Sequence, residues 1–166
     1  YHPTLQAWHK GWLQAMLTTR NPYTGRTLAK DPAVAFVELQ NEDSFFFWTF
    51  SKKNIPPPQW RALETLFGAW LAKRHGSLDK AREGWLEARE GSDDPAAGRM
   101  ALYEAWHMTR DGLKNAGPGM RQRVGEQVRF LTETQRAFYA GAARFVRRDL
   151  LATWDPADDE DDADGA

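Results

Sequence analysis

The residues best placed to do chemistry stand together at the end of the most apolar run in the chain. Ala33-Val34-Ala35-Phe36-Val37 passes into Glu38-Leu39-Gln40-Asn41-Glu42. A carboxyl side chain donates a proton when neutral and activates water when ionised. Glu38, Gln40 and Glu42 share one parity and would share one face of an extended segment. Directly after them come the rings of Phe45, Phe46, Phe47, Trp48 and Phe50, which either fill a core or offer planar apolar faces. Taken alone, Asn41-Glu42 is only a dipeptide, and a glutamate capping a strand in a loop is the simpler account of it. The other reactive types are scattered. His2, His9, His75 and His107 have no shared metal-ligand spacing. With no cysteine in the sequence, thiolate nucleophiles, thiolate zinc sites and disulfides are excluded together. Glu160, Asp162, Asp164 and Gly165 imitate the opening of a calcium loop, but the closing bidentate glutamate is missing. No metal and no cofactor is expected.

The elements that would position these residues are mostly helical. Leu5, Trp8, Trp12, Leu13 and Met16 recur at three- and four-residue spacings and predict a helix over 4–19. Asn21-Pro22-Tyr23-Thr24-Gly25 supplies turn chemistry, with Tyr23 expected to pack on the turn. Asp31-Pro32 introduces the single expected strand, 33–40, whose continuous apolar start suits a strand covered on both faces. Pro56-Pro57-Pro58 leads into a helix over 59–74, with Trp60, Leu63, Leu66, Phe67, Trp70 and Leu71 on one face. Ser77 caps a second helix to about 90, and Asp94-Pro95 starts a third through about 114. A long helix follows from about 120 to 151, striped by Val124, Val128, Leu131, Phe138, Ala142 and Phe145. A lone strand among five helices cannot satisfy its edges, which makes the chain read as a segment cut from a larger β/α fold. The opening at Tyr1 rather than Met is in keeping with a trimmed or excised chain.

The stretch from Asn21-Pro22-Tyr23-Thr24-Gly25 through Asp31-Pro32 to Asn41-Glu42 resembles the fourth-strand region of clan A glycoside hydrolases, cellulase-like proteins of the family five type. The resemblance continues more loosely through Phe67-Gly68-Ala69-Trp70-Leu71, Gly76-Ser77-Leu78 and the long helix. It implies a partial eight-fold β/α (TIM) barrel carrying a helical insertion, so that the fold class is mainly α with one short β-strand. It implies that Glu42 is the acid/base of a retaining glycosidase and that Asn41 hydrogen-bonds the sugar 2-hydroxyl. Glu38, Gln40 and Trp48 are then candidate substrate contacts. On this reading residues 1–42 are barrel helix three and strand four, 43–119 an insertion over the mouth of the barrel, 120–154 barrel helix four, and 155–166 an acidic disordered tail. The clan's nucleophile, a glutamate ending the seventh strand, has no counterpart here, since nothing from Glu64 to Glu133 ends a strand. The chain alone would be inactive, and the rest of the barrel is the expected partner, with a carbohydrate as substrate.

Composition narrows the alternatives. At 166 residues the chain can bury a core, and it carries eight Trp, nine Phe and four Tyr. No apolar run approaches the roughly 20 residues a membrane span needs, so a soluble protein without a membrane partner is expected; its compartment is left open, export on a signal outside this sequence included. Seven of the 23 acidic side chains fall in residues 155–166, leaving 22 basic against 16 acidic elsewhere. That balance weakly permits a nucleic-acid binder, but no compact basic stripe or motif supports one, and no nucleic-acid partner is expected. The runner-up to the hydrolase is a non-catalytic helical interaction or carbohydrate-binding module.

Overall fold

The computed structural model describes residues 1–86 and 88–151; the acidic run 155–166 lies outside the described residues, as does the end of the expected fourth barrel helix. The described chain is mainly α-helical. Its helices are α1 (Pro3–Thr18), α2 (Pro57–His75), α3 (Leu78–Glu83) and α4 (Pro118–Arg144), the last running on as a wider π-type turn over Phe145–Leu150. Two compact units emerge, one of Tyr1–Asn41 with the chain from Ala137 onward, the other Glu42–Arg136.

In the first unit α1 opens with Pro3, whose fixed φ suits a first helical turn. Leu13 and Leu17 are buried against Val146 and Leu150, with Met16, Val37, Leu39 and Phe145 packed around them. The other side of α1 is open: Leu5, Trp8 and Trp12 are exposed. After α1, Asn21 Oδ1 accepts the amide of Tyr23 at 2.9 Å and the Asn21 carbonyl accepts Gly25 N at 2.9 Å. Gly25 takes φ 71°, which a residue with a Cβ rarely adopts. The turn is as its residues suggest, except that Tyr23 does not pack on it and is 95% exposed.

The expected strand is corrected. Among the described residues there is no β-strand, and 33–40 is irregular. A strand is stable through its neighbours, and here the backbone groups of residues 35–38 form no hydrogen bond among the described residues. Side-chain alternation survives all the same: Val37 and Leu39 pack on the apolar cluster while Phe36, Glu38 and Gln40 are exposed.

In the second unit α2 buries Trp60, Leu63, Phe67 and Leu71, and ends at Gly76 with φ 85°. Leu66, expected on that face, is exposed. Ser77 caps α3 as expected, its Oγ accepting Lys80 N at 3.2 Å, but α3 ends at Glu83 rather than near 90. The helix expected over 95–114 does not form. Asp94 and Arg99 instead bridge antiparallel across a tight turn, and Met100–Tyr103 are four consecutive buried residues. Only a 3-10 turn at Ala105–Met108 follows. A helix would rotate one of those four side chains into water, whereas here α2 and α4 take up the backbone of the segment. Phe67 stacks on Trp85 at 6.3 Å and meets Phe130 of α4 at 5.2 Å.

Helix α2 and the 94–99 turn approach closely at Gly68, where an added Cβ would lie 2.1 Å from the Gly98 carbonyl oxygen. Backbone cannot swing aside as a side chain does, so Gly68→Ala should destabilise by about 1–3 kcal/mol, read as a lower urea midpoint at unchanged slope.

Candidate functional site

Glu38, Gln40, Asn41 and Glu42 are all exposed. The first three belong to the first unit, and Glu42 opens the second. Glu42 has φ 51°, the left-handed region that a side-chain-bearing residue enters at a cost. Such outliers concentrate where a chain must aim a side chain, which makes the position worth testing.

The residues after Glu42 form a closed loop. Thr49 Oγ1 donates to Asp43 Oδ1 at 2.7 Å, and Phe50 N donates to the Phe47 carbonyl at 2.9 Å. The aromatic run divides in two. Phe50 is buried, 5.0 Å from the Trp60 ring and 5.5 Å from Phe45. Phe46, Phe47 and Trp48 face solvent, Trp48 being 72% exposed. Phe45 N donates to Gln135 Oε1 of α4 at 3.0 Å, which fixes the start of the loop. The 43–50 loop is thus held on its core side and presents one indole to water.

A second constellation was not legible in the sequence. Arg123 of α4 is fully buried and grips Asp93 with both guanidinium ends, Nη1 to Oδ2 at 2.8 Å and Nη2 to Oδ1 at 2.6 Å. The same nitrogens donate to the carbonyls of Ala88 and Ala101 at 2.6 and 2.7 Å. The Trp85 ring lies 4.4 Å from the guanidinium, and Trp85 Nε1 donates to Glu126 Oε2 at 2.8 Å. Gln127 holds Tyr103 from both sides, accepting its N–H and donating to its carbonyl, each at 2.8 Å. Tyr103 donates its hydroxyl to Glu90 at 2.8 Å, and burial together with that bond raises the phenol pKa above its ordinary value. Burial alone would raise the Asp93 pKa, but the Arg123 hydrogen bonds and charge, with the amides of Ala101 and Glu90, outweigh it and hold the carboxyl below the usual range.

This constellation is a clasp rather than a reaction centre. Both Asp93 oxygens are occupied by partners and the ion pair is shut off from solvent, so no substrate atom can reach them. The one available signal was weak: Gln127 falls at the edge of the apolar stripe of α4, which places a polar group near a core without naming its partner, while Arg123 and Glu126 lie off that stripe.

Among the described residues no cluster of three or more His, Asp or Glu side chains could hold a metal ion, and no helix is long and apolar enough to cross a membrane. Compared with known proteins, the sequence matches no family model, no curated protein and no solved structure.

Arg123→Met should cost about 3–5 kcal/mol by leaving Asp93 charged and buried, and Arg123→Met with Asp93→Asn should cost clearly less than the single change; a double-mutant cycle by urea unfolding measures both. Because the folded Asp93 pKa is depressed, the contribution of the pair is complete above the unfolded value of roughly 3.9 and is lost as pH falls through the lower folded value. Acid titration of the unmodified protein should therefore lose stability below about pH 4, and the double variant should lose less.

Proposed function

We propose that this chain carries the acid/base half of a retaining glycoside hydrolase site, on a partial β/α barrel of the clan A, cellulase-like type. The observation that carries the proposal is the alternation of burial along 37–40. Val37 and Leu39 pack against helices while Glu38 and Gln40 are exposed. In a β/α barrel each strand turns one parity toward its helices and the other into the barrel. The backbone of residues 35–38 is unpaired among the described residues, which suits a strand whose neighbours lie in other sequence.

In the proposed reaction a carboxylate from elsewhere in the barrel attacks the anomeric carbon as neutral Glu42 protonates the departing glycosidic oxygen. Glu42, now ionised, takes a proton from water as that water attacks the anomeric carbon, and the nucleophile leaves as carboxylate. On the same reading Asn41 would hold the 2-hydroxyl, and Glu38 and Gln40 would be substrate contacts. Neutral Glu42 requires apolar cover, since lower polarity disfavours the charged form. The remaining strands would provide it. The alternative, a non-catalytic interaction module, draws on Trp8 and Trp12, which lie one turn apart on α1 and are both exposed.

The 166 residues alone should show no appreciable hydrolysis of an activated aryl glycoside. In a protein carrying the flanking sequence, Glu42→Ala should slow turnover of poor leaving groups by about 10²–10⁴-fold and activated ones far less. Azide should restore the second step by replacing the water that Glu42 activates. Equal rates for variant and parent on both substrate types would remove Glu42 from the reaction and leave the interaction-module reading standing.

A further inference from the structure

Helix α1 buries one side and leaves the other bare. Leu13 and Leu17 face the core of the first unit, while Leu5, Trp8 and Trp12 are 47%, 70% and 59% exposed. A helix face turned to water normally carries charged groups, yet every exposed residue of α1 is uncharged. Its single lysine, Lys10, is partly buried, with Nζ 5.6 Å from the centre of the Phe145 ring. The bare side has a large half and a small half. Leu5, Trp8 and Trp12 recur at three- and four-residue steps and make a ridge. Ala7, Gly11 and Ala15, all exposed, recur at steps of four and make a trough beside it. A Cβ added to Gly11 would meet nothing within 4 Å, so the trough stands open. A continuous apolar surface of this kind marks a place of association.

We propose that this face pairs with the same face of a second copy of the chain, the two α1 helices lying antiparallel about a two-fold axis. A two-fold contact brings a surface onto itself, and this surface supplies both a ridge and the space for one. The antiparallel register that sets Trp8 level with Ala15 of the other copy also sets Gly11 level with Trp12. The two Trp12 rings then meet at the axis, where Gly11 lets the backbones approach. Large residues level with small ones are what allow packed helices to interdigitate. A parallel pairing would set Trp8 on Trp8 and Ala15 on Ala15, leaving the two sizes unmatched. A charged partner would find no opposite charge on this face. A fully buried aromatic side chain contributes about 150–250 Å², so the exposed parts of Leu5, Trp8 and Trp12 with the trough give roughly 400–500 Å² per copy. Both copies together reach about 1,000 Å², the lower edge of specific association. The dimer is therefore weak and depends on concentration. The inference requires nothing of Glu42.

The test is sedimentation velocity of the 166-residue protein between about 1 and 200 µM, the range in which so small an interface should associate. A shift from monomer to dimer is expected across it. Trp12→Lys should remove the dimer by placing a charge at the axis. Gly11→Leu should weaken it roughly tenfold or more by holding the backbones apart, and Trp48→Ala in the other unit should leave it unchanged. All three positions are exposed, so unchanged circular dichroism will verify that the variants fold. Orientation is read from a disulfide. The chain has no cysteine, so a mixture of Thr4→Cys and Thr19→Cys proteins offers one thiol per copy, and antiparallel helices bring those two positions level. In that pairing two copies of position 4 lie about 22 Å apart along the axis, so Thr4→Cys alone should crosslink far more slowly in air than the mixture. Monomer at every concentration overturns the proposal and leaves the face to a different occupant. A dimer that both Trp12→Lys and Gly11→Leu leave intact overturns it too, as does faster crosslinking of Thr4→Cys alone. Association is read without any hydrolysis, so its outcome and that of Glu42→Ala stand apart.

Discussion

One buried guanidinium organises most of the second unit. Between Gly84 and Tyr103 the chain has no regular secondary structure among its described residues, so its amides and carbonyls have no ladder or helix to satisfy them. Arg123 answers several at once, holding two carbonyls and both Asp93 oxygens, while Asp93 in turn accepts Ala101 N and Glu90 N. An arginine suits this task because its planar fork reaches several acceptors in fixed directions and stays charged throughout. Burying it is tolerable only because the charge is met by Asp93 and the ring of Trp85 lies alongside. Gln127, one turn along α4, repeats the device with a neutral amide on Tyr103. The packing of Phe67, Trp85 and Phe130 depends on this segment lying where α4 places it.

The first unit shows what happens when such partners are missing. Leu13, Leu17, Val146 and Leu150 make a small core, and residues 37 and 39 join it. Residues 35–37 have apolar side chains and a backbone ready to pair, yet among the described residues nothing pairs with it. Hydrogen bonding, not hydrophobicity, is what this segment lacks. The exposed side of α1, with Leu5, Trp8 and Trp12, repeats the point for a helix.

These two conditions bear differently on the proposed chemistry. A catalytic carboxyl has to be aimed by rigid surroundings and covered by apolar ones. On the proposed reading the loop from Asp43 to Phe50 supplies the first, being closed on itself and anchored in the aromatic core. Among the described residues Glu42 is exposed, and on the proposed reading its cover comes with sequence beyond these residues. Positioning and protonation of the acid are thus separate contributions from separate parts of a protein.

The sequence by itself determined the helices whose ends carry local signals: α1 from its periodicity, α2 from its proline entry and glycine exit, and the start of α3 from Ser77. It also determined the turn at Asn21–Gly25, because an asparagine side chain and a glycine at positive φ act within five residues. It offered Glu42, Asn41 and Trp48 as candidates, the first two only through the resemblance of their surroundings to a hydrolase strand. The tertiary structure decided what local signals could not reach. Asp94-Pro95 reads as a helix start, but Arg99, Gln127 and the approach of Gly68 turn the segment into a buried irregular strip. The alternation at 36–40 survives without a strand, because side-chain direction is local to the chain whereas a ladder needs a second segment. Ala105 is tied down through Phe50, and Arg123 gains meaning only through Asp93. Those partners lie 30 and 55 residues away in the chain, and no pattern of spacing within one segment encodes a contact that the fold itself creates.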